Sequence, residues 1–425
     1  MRSIFKVNSF VWVFILIIVL LTAESYSDGL IDFVNLSYGW VVLSNESICH
    51  TNDGGITWKI QNSNSKGLVS VDFVNENIGW IVGNGGIVLK TINGGQEWIT
   101  YQISNISTGL HSVQFINENN GWIVGENGLI LHTTNGGGIW VKQNSGISDP
   151  LNDLSFVDLK NGWIVGSGTF PIFNYQVILH TTDGGDYWQN VDYTRGDALY
   201  TVHFPNSSVG YAGGYYGRIK YTKNGGQTWD FTRVGNESFS SVFFIDSNSG
   251  WIVGNTKDAI YRTVDGGKSW IYQNIDATGY SDVHFINDQV GFLLCWRGIF
   301  PNKYQVILKT ENGGNSWISS YTGINDDYTS NLDLNFKLYQ NYPNPFNLET
   351  IIQYSVPEHS HVVMEIFNIY GNKITILKDA VENAGNYSVK WNGKNSMNQL
   401  VSSGIHLCQI HVGKYQKTIR MLLLK

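Results

Sequence analysis

The stretch LHSVQFINENNGWIVGENGLILHTTNGGGIW, residues 110–140, decides the fold. LHSVQF, GWIVG and LILHT are short runs rich in aromatic and branched residues, the composition that favours sheet over helix. The residues after Trp140 supply a fourth strand. Asn135 followed by Gly136 and Gly137 suits a tight hairpin, because these residues tolerate positive φ and an Asx side chain can bond backbone groups two residues on. Four short strands cannot bury their own faces, so such a unit is expected to lean on copies of itself.

Working outward, the pattern T-x-[ND]-G-G-x-x-W occurs seven times, at 51–58, 91–98, 133–140, 181–188, 222–229, 263–270 and 310–317. Its Asx residues are Asp53, Asn93, Asn135, Asp183, Asn224, Asp265 and Asn312, and its indoles are Trp58, Trp98, Trp140, Trp188, Trp229, Trp270 and Trp317. Upstream of each box stands a glycine–aromatic pair, from Gly39-Trp40 to Gly291-Phe292, and six residues before each such glycine stands Phe33, Phe73, Phe115, Phe156, Phe204, Phe244 or Phe285. Four strands, A to D, in each of seven repeats predict an all-β, seven-bladed β-propeller. Each box indole can bury about 150–250 Å², and these seven are expected to wedge the blades together. The composition agrees: 47 glycines and 15 tryptophans against 7 prolines, with 14% charged residues. A net charge of -7 argues against nucleic acid as a partner.

The repeats vary on one side only. Phe to Gly and Thr to Trp keep fixed spacings, whereas the B-strand aromatic stands 11 or 12 residues before the box Thr in five repeats and 18 in two. The long forms are GSGTFPIFNYQVILHT (166–181) and WRGIFPNKYQVILKT (296–310), three steps apart in a ring of seven and thus nearly opposite. Phe170, Phe173, Tyr175, Trp296, Arg297, Phe300 and Tyr304 on these hairpins, with Tyr215, Tyr216 and Arg218 of the fifth repeat, are the candidate ligand-binding residues. Aromatics beside arginine on loops suit a glycan or peptide. The plainer alternative folds these rings back over the blade edges as local cores. Asp32, Asp72, Gln114, Ser155, His203, Phe243 and His284, each just before its Phe, are expected to line the channel as solvated polar groups, with Asp153 and Asp282 nearby. No ligand spacing among them supports a metal, and no cofactor is expected. No catalytic constellation is singled out, although Asp153, Asp197 and Asp276 leave a carboxylate pair open.

The boxes resemble the Asp box of sialidases, sortilin-type receptors and bacterial glycan-binding propellers. The fuller pattern GWIVGxxGxIxxTxxGGxxW most resembles the seven-bladed photosystem II assembly and stability factor family over residues 29 to about 321. In these families the box is structural, which implies that it carries no activity by itself. The sialidase resemblance stops short of chemistry, because RGIFP at 297–301 is not the FRIP-like strand of those enzymes.

The ends of the chain point to export. Arg2 and Lys6 precede the apolar run Phe10 to Ala23, the pattern of a cleaved signal peptide over residues 1–27. The propeller is expected over 28–322 and a polar linker over 323–336. Residues 337–425 alternate apolar and polar residues between turn clusters, which describes a small Ig- or fibronectin-like β-sandwich. Nine basic and five acidic residues give this part +4, leaving -11 for the rest. Its landmarks are Tyr342, Pro343, Asn344, Pro345, Phe346 and Asn347, then IFNIYG ending at Gly371, AGNYSVKWNG, SSGI around Gly404 and the closing KTIRMLLLK. They resemble the type A sorting domain of type IX secretion in Bacteroidota and related bacteria. The resemblance implies passage through the periplasm, recognition by the translocon and sorting machinery, and release or display at the cell surface. Cys49 and Cys295 occupy core slots on blades that would be ring neighbours, and a bridge between them is the less favoured reading. The resulting expectation is a monomeric, non-catalytic binding module for a glycan or protein ligand. An Asp-box glycoside hydrolase and an assembly factor for a membrane complex are the alternatives.

Overall fold

The computed structural model describes residues 30–62, 66–103, 106–169, 174–298, 303–321, 336–341, 343–356, 359–382 and 385–424. The signal segment 1–27, nearly all of the linker, Phe170, Phe173, Phe300 and Tyr342 lie outside the described residues. The chain divides into two compact units, Met1–Ile324 and Asn325–Lys425. The first contains seven four-stranded antiparallel sheets, each made from four consecutive strands. Among the described residues, each sheet is built from the strands of a single repeat, and side-chain contacts join blade 7 to blade 1.

Each repeat landmark has a packing reason. In the A–B pairing, Phe33 stands opposite Gly39 and Phe115 opposite Gly121. A Cβ added at Gly39, Gly79, Gly121, Gly162, Gly210, Gly250 or Gly291 would come within 2.2 to 2.5 Å of that phenylalanine ring. Glycine is therefore the floor on which the ring lies. Its other face takes the B-strand aromatic of the preceding blade, with centroids 3.4 to 3.9 Å apart: Trp40 on Phe73, Trp80 on Phe115, Trp122 on Phe156, Trp163 on Phe204, Tyr211 on Phe244 and Trp251 on Phe285. Phe292 on Phe33 closes the circle at 3.9 Å.

The expectation that the box indoles are the wedges needs correction. The B-strand aromatics are the fully buried ones. The box indoles instead meet the phenylalanine of their own blade edge-on at 5.7 to 6.0 Å. Only Trp58 and Trp188 among them are buried. Three of them brace the preceding blade through Nε1, Trp58 to Ser320, Trp188 to Gln143 and Trp317 to Gln273, whereas Nε1 of Trp98, Trp140, Trp229 and Trp270 has no hydrogen-bond partner among the described residues.

The box turn has the same wiring in all seven copies. Thr Oγ1 accepts from the second glycine N–H. Asx Oδ1 accepts from the backbone N–H four residues on. A second Asx motif, absent from the sequence reading, forms the A–B turn: Asn35, Asn75, Asn117, Asp158, Asn206, Asp246 and Asn287 each accept from the N–H two residues on. The first box glycine donates its N–H to that turn, as in Gly54 to the Ser37 carbonyl and Gly136 to the Asn119 carbonyl. The two turns are thus laced into one rim, and the B–C and D–A turns emerge on the other.

In the second unit, Lys337–Leu338, Thr350–Val356 and Gly385–Trp391 form one sheet, and Lys373–Glu382, Ser360–Asn368, Gly404–Val412 and Tyr415–Leu423 form the other in that order. Their inner faces share Tyr354, Met364, Ile366, Trp391, Cys408, Ile410 and Met421. Two of the C-terminal sequence landmarks meet there. Phe346 is buried against Trp391, its N–H donates to the Leu422 carbonyl and its carbonyl accepts from Leu424. Asn344 Oδ1 accepts from Leu422 N–H at 2.8 Å. Cys49, Cys295 and Cys408 are free and buried, so no bridge forms between blades 1 and 7.

Candidate ligand-binding rim

The rim opposite the boxes is where the blades differ. In blade 4, Gly162–Thr169 and Asn174–Thr181 form a hairpin whose ladder runs out to Thr169 opposite Asn174. In blade 7, Gly291–Arg297 pairs with Tyr304–Thr310 out to Arg297 opposite Tyr304. At the channel mouth on this rim lies a cavity of about 350 Å³ bordered by blades 1, 2, 6 and 7. Trp296, Lys303, Gln305, Tyr280, Glu46 and Asn84 are among its lining residues. Trp296 is held by Nε1 donating to Ser281 Oγ at 3.0 Å, and the Lys303 ammonium stands over its ring at 4.7 Å. Gln305 Oε1 accepts from Ser44 N–H at 2.6 Å, a contact from blade 7 to blade 1. Glu46, at φ 69, accepts from Gly67 N–H. The wall is therefore preformed, combining an aromatic ring, a cation, a carboxylate and neutral amides.

Among the described residues, only Trp296 of the candidate ligand-binding set lines this cavity. Tyr175 stacks on Tyr193 of its own blade at 5.5 Å. Arg297 Nε donates to the Asp276 carbonyl at 2.7 Å, and Tyr304 is 38% exposed. Tyr215 and Tyr216 meet edge-on at 4.2 Å. Arg218 pairs with Asp197 at 2.8 Å and lies over Phe231 at 4.4 Å, and Arg233 also pairs with Asp197. For Tyr175 and Arg218 the local-core alternative describes the contacts. Lys303, Gln305, Glu46 and Asn84 were missed. Aligning the turn that follows each B strand would have found Glu46 and Asn84, because both stand just beyond that strand.

The channel groups are ties between blades rather than loose solvated polar groups. Asp32 accepts from Phe73 N–H, Asp72 from Phe115, Gln114 from Phe156, Ser155 from Phe204 and His203 from Phe244. A second tier lies three residues before five of the seven phenylalanines: Ser70, Asp153, Thr201 and Ser241 each accept from an N–H of the next blade. Asp282 completes that tier across the closure by accepting from Ile31 N–H at 2.9 Å. Burial raises Asp32 and Asp282 to about 7, raises Asp72 well above the usual carboxyl range and lowers His203 and His284 to about 4. Of the open carboxylate candidates, Asp153 belongs to this tie and Asp197 to the arginine pair. Among the described residues, no group of three or more His, Cys, Asp or Glu side chains is placed to hold a metal ion.

Residues 16–110, 102–230 and 236–325 match the family described as photosynthesis system II assembly factor YCF48. Among solved structures, YCF48 bound to a D1 peptide is similar at 19% identity and TM-score 0.53, covering 68% of this chain and 92% of that one. YCF48 from Cyanidioschyzon merolae is similar at 22% identity and TM-score 0.53, covering 69% and 98%. The WD40 propeller domain of Doa1 shares the architecture at 14% identity and TM-score 0.50, covering 66% and 92%. At these identities the structural likeness speaks for the fold. No curated protein matches the chain.

Proposed function

The chain belongs to the photosynthesis system II assembly factor YCF48 family, and on that premise we propose that its propeller is a non-catalytic binding module that takes an extended peptide segment of a protein partner at the channel mouth. The observation that carries this reading is the preformed cavity of about 350 Å³ on the rim opposite the boxes, with Trp296 and Lys303 in its wall. A peptide is favoured over a glycan because the Trp296 face is already covered by the Lys303 ammonium, which suits a carbonyl or carboxylate better than a sugar ring. A similar propeller, YCF48, has been solved with a D1 peptide bound.

The partner proposed here is extracellular. The C-terminal unit carries the sorting landmarks, and two of them, Asn344 with Phe346 and the closing strand Tyr415–Leu423, are joined by hydrogen bonds into one element. This supports a sorting tail read as a folded unit, with delivery through type IX secretion to the surface or the medium. An array of peptides and glycans probed with the mature propeller tests the binding reading. Peptide signals lost on Trp296→Ala are expected, and turnover of sialosides or β-glucans would overturn the non-catalytic reading. Deleting 337–425 is expected to strand the protein in the periplasm, and normal surface delivery of that variant would overturn the sorting reading.

A further inference from the structure

The channel-mouth cavity is charged at two places. Among its lining residues only Lys303 and Glu46 carry charge. Lys303 stands on the B–C hairpin of blade 7, just before Tyr304–Thr310, and Glu46 on the B–C turn of blade 1, just before Ile48–Thr51. Each is held to its own side. The Lys303 ammonium lies over the Trp296 ring at 4.7 Å. Glu46 has a left-handed backbone, φ 69, and its carboxylate reaches over the following seam to accept from Gly67 N–H of blade 2 at 3.2 Å. The seam between blades 7 and 1 is closed instead by a neutral bond, Ser44 N–H to Gln305 Oε1. Other charges near the mouth are engaged or stand outside its wall: Arg297 donates to the Asp276 carbonyl, Asp258 accepts from the Tyr272 hydroxyl, and Lys66 and Lys257 do not line it. An ammonium has several donors and a carboxylate several acceptor sites. Among the described residues no acceptor takes the Lys303 ammonium, and a single N–H takes Glu46. Both therefore keep capacity for a ligand.

Resting on the reading of the mouth as a peptide site, we propose that it selects a segment carrying both charges, an acidic side chain set against Lys303 and Trp296 and a basic side chain set against Glu46. A segment of one sign would satisfy one wall charge and bring like charge toward the other, which lowers affinity and rejects wrong partners. A neutral segment would displace water from both charges without replacing its hydrogen bonds. The rest of the wall does not discriminate by charge, since Asn84, Ser240, Asn255 and Ser281 present amides and hydroxyls that suit a peptide backbone of any sequence. Selectivity is thus concentrated in two side chains on neighbouring blades.

The test is selection of phage-displayed random peptides on the immobilised full chain, followed by affinity measurement of the enriched peptides in solution. Peptides whose binding is lost on Trp296→Ala are expected to carry at least one acidic and one basic residue each, and replacing either by its neutral amide or alkyl counterpart should weaken binding about tenfold. Selection on Lys303→Glu should turn the acidic preference into a basic one. Glu46→Gln, which keeps an acceptor for Gly67 N–H, should remove the basic preference and leave the acidic one. Both variants should melt near the parent, because Lys303 is exposed and the Glu46 bond is retained. Trp296-dependent peptides without a charge bias, or with a bias unchanged in Lys303→Glu, would overturn this inference and leave the peptide reading standing. Enrichment of no Trp296-dependent peptide would overturn both.

Discussion

At the scale of single residues, the repeat is a set of rings with one glycine beneath each. Gly121→Ala would drive a methyl group to within 2.5 Å of the Phe115 ring, so a loss of about 1–3 kcal/mol is expected in denaturant unfolding, the range for overpacking a tight core. Trp122→Ala removes the face-on wedge on Phe156 and should cost about 3–5 kcal/mol. Trp140→Ala should cost less, since its edge-on indole is only partly buried. The channel carboxyls give a pH dependence whose sign is fixed. With Asp32 raised to about 7, the folded ring keeps a proton that the unfolded chain loses near pH 4. This contribution to stability is complete below the unfolded value and is lost as pH rises through 7. His203 and His284, lowered to about 4, act in the opposite sense, losing their contribution as pH falls through 4. Asn at position 32 keeps an acceptor for Phe73 N–H without a charge. Asp32→Asn should therefore raise the melting temperature more at pH 8 than at pH 4.5, and an equal or larger gain at pH 4.5 would contradict the assignment. The spacing of Phe, Gly and aromatic was legible in the sequence. That the aromatic belongs to the next blade's phenylalanine was not, because a contact between blades leaves no trace in spacing within one repeat.

At the scale of elements, the locked rim consists of two Asx turns per blade. Asn135 accepts from Ile139 N–H and bonds Thr133 Oγ1, so Asn135→Ala should cost about 1–2 kcal/mol and speed hydrogen exchange at Ile139 ahead of the surrounding strands. The box was legible because its whole seven-residue turn recurs. The A–B turn was not, because only its first residue is kept, as Asn or Asp, while NLSY, NENI and DLKN share no common residue at the rest. The elaborated B–C hairpins were legible from their lengths. The partners of their side chains were not: a short sequence could not show that Arg218 would meet Asp197 or that Arg297 would meet the Asp276 carbonyl.

For the propeller as a whole, ring closure uses contacts that other seams also use: Phe292 on Phe33, as at every seam, with Asp282 to Ile31 and Trp58 to Ser320, as at several. A circular permutant opened between blades 3 and 4 near 146, with 321 joined to 30 by a linker of D–A length, should melt close to the parent. A collapse in stability would show that the natural seam is special. Blade number and the C-terminal sandwich were readable from period and alternation, whereas the channel-mouth cavity arises from loops of several blades meeting in space. The most direct test of the central claim, one rigid rim and one receptive rim, is hydrogen exchange of the full chain with and without a peptide from the array. Protection is predicted at 43–46, 67–69, 255, 280–281 and 303–305 and none at the box turns. Protection centred on the box turns, with the channel mouth unchanged, would contradict it.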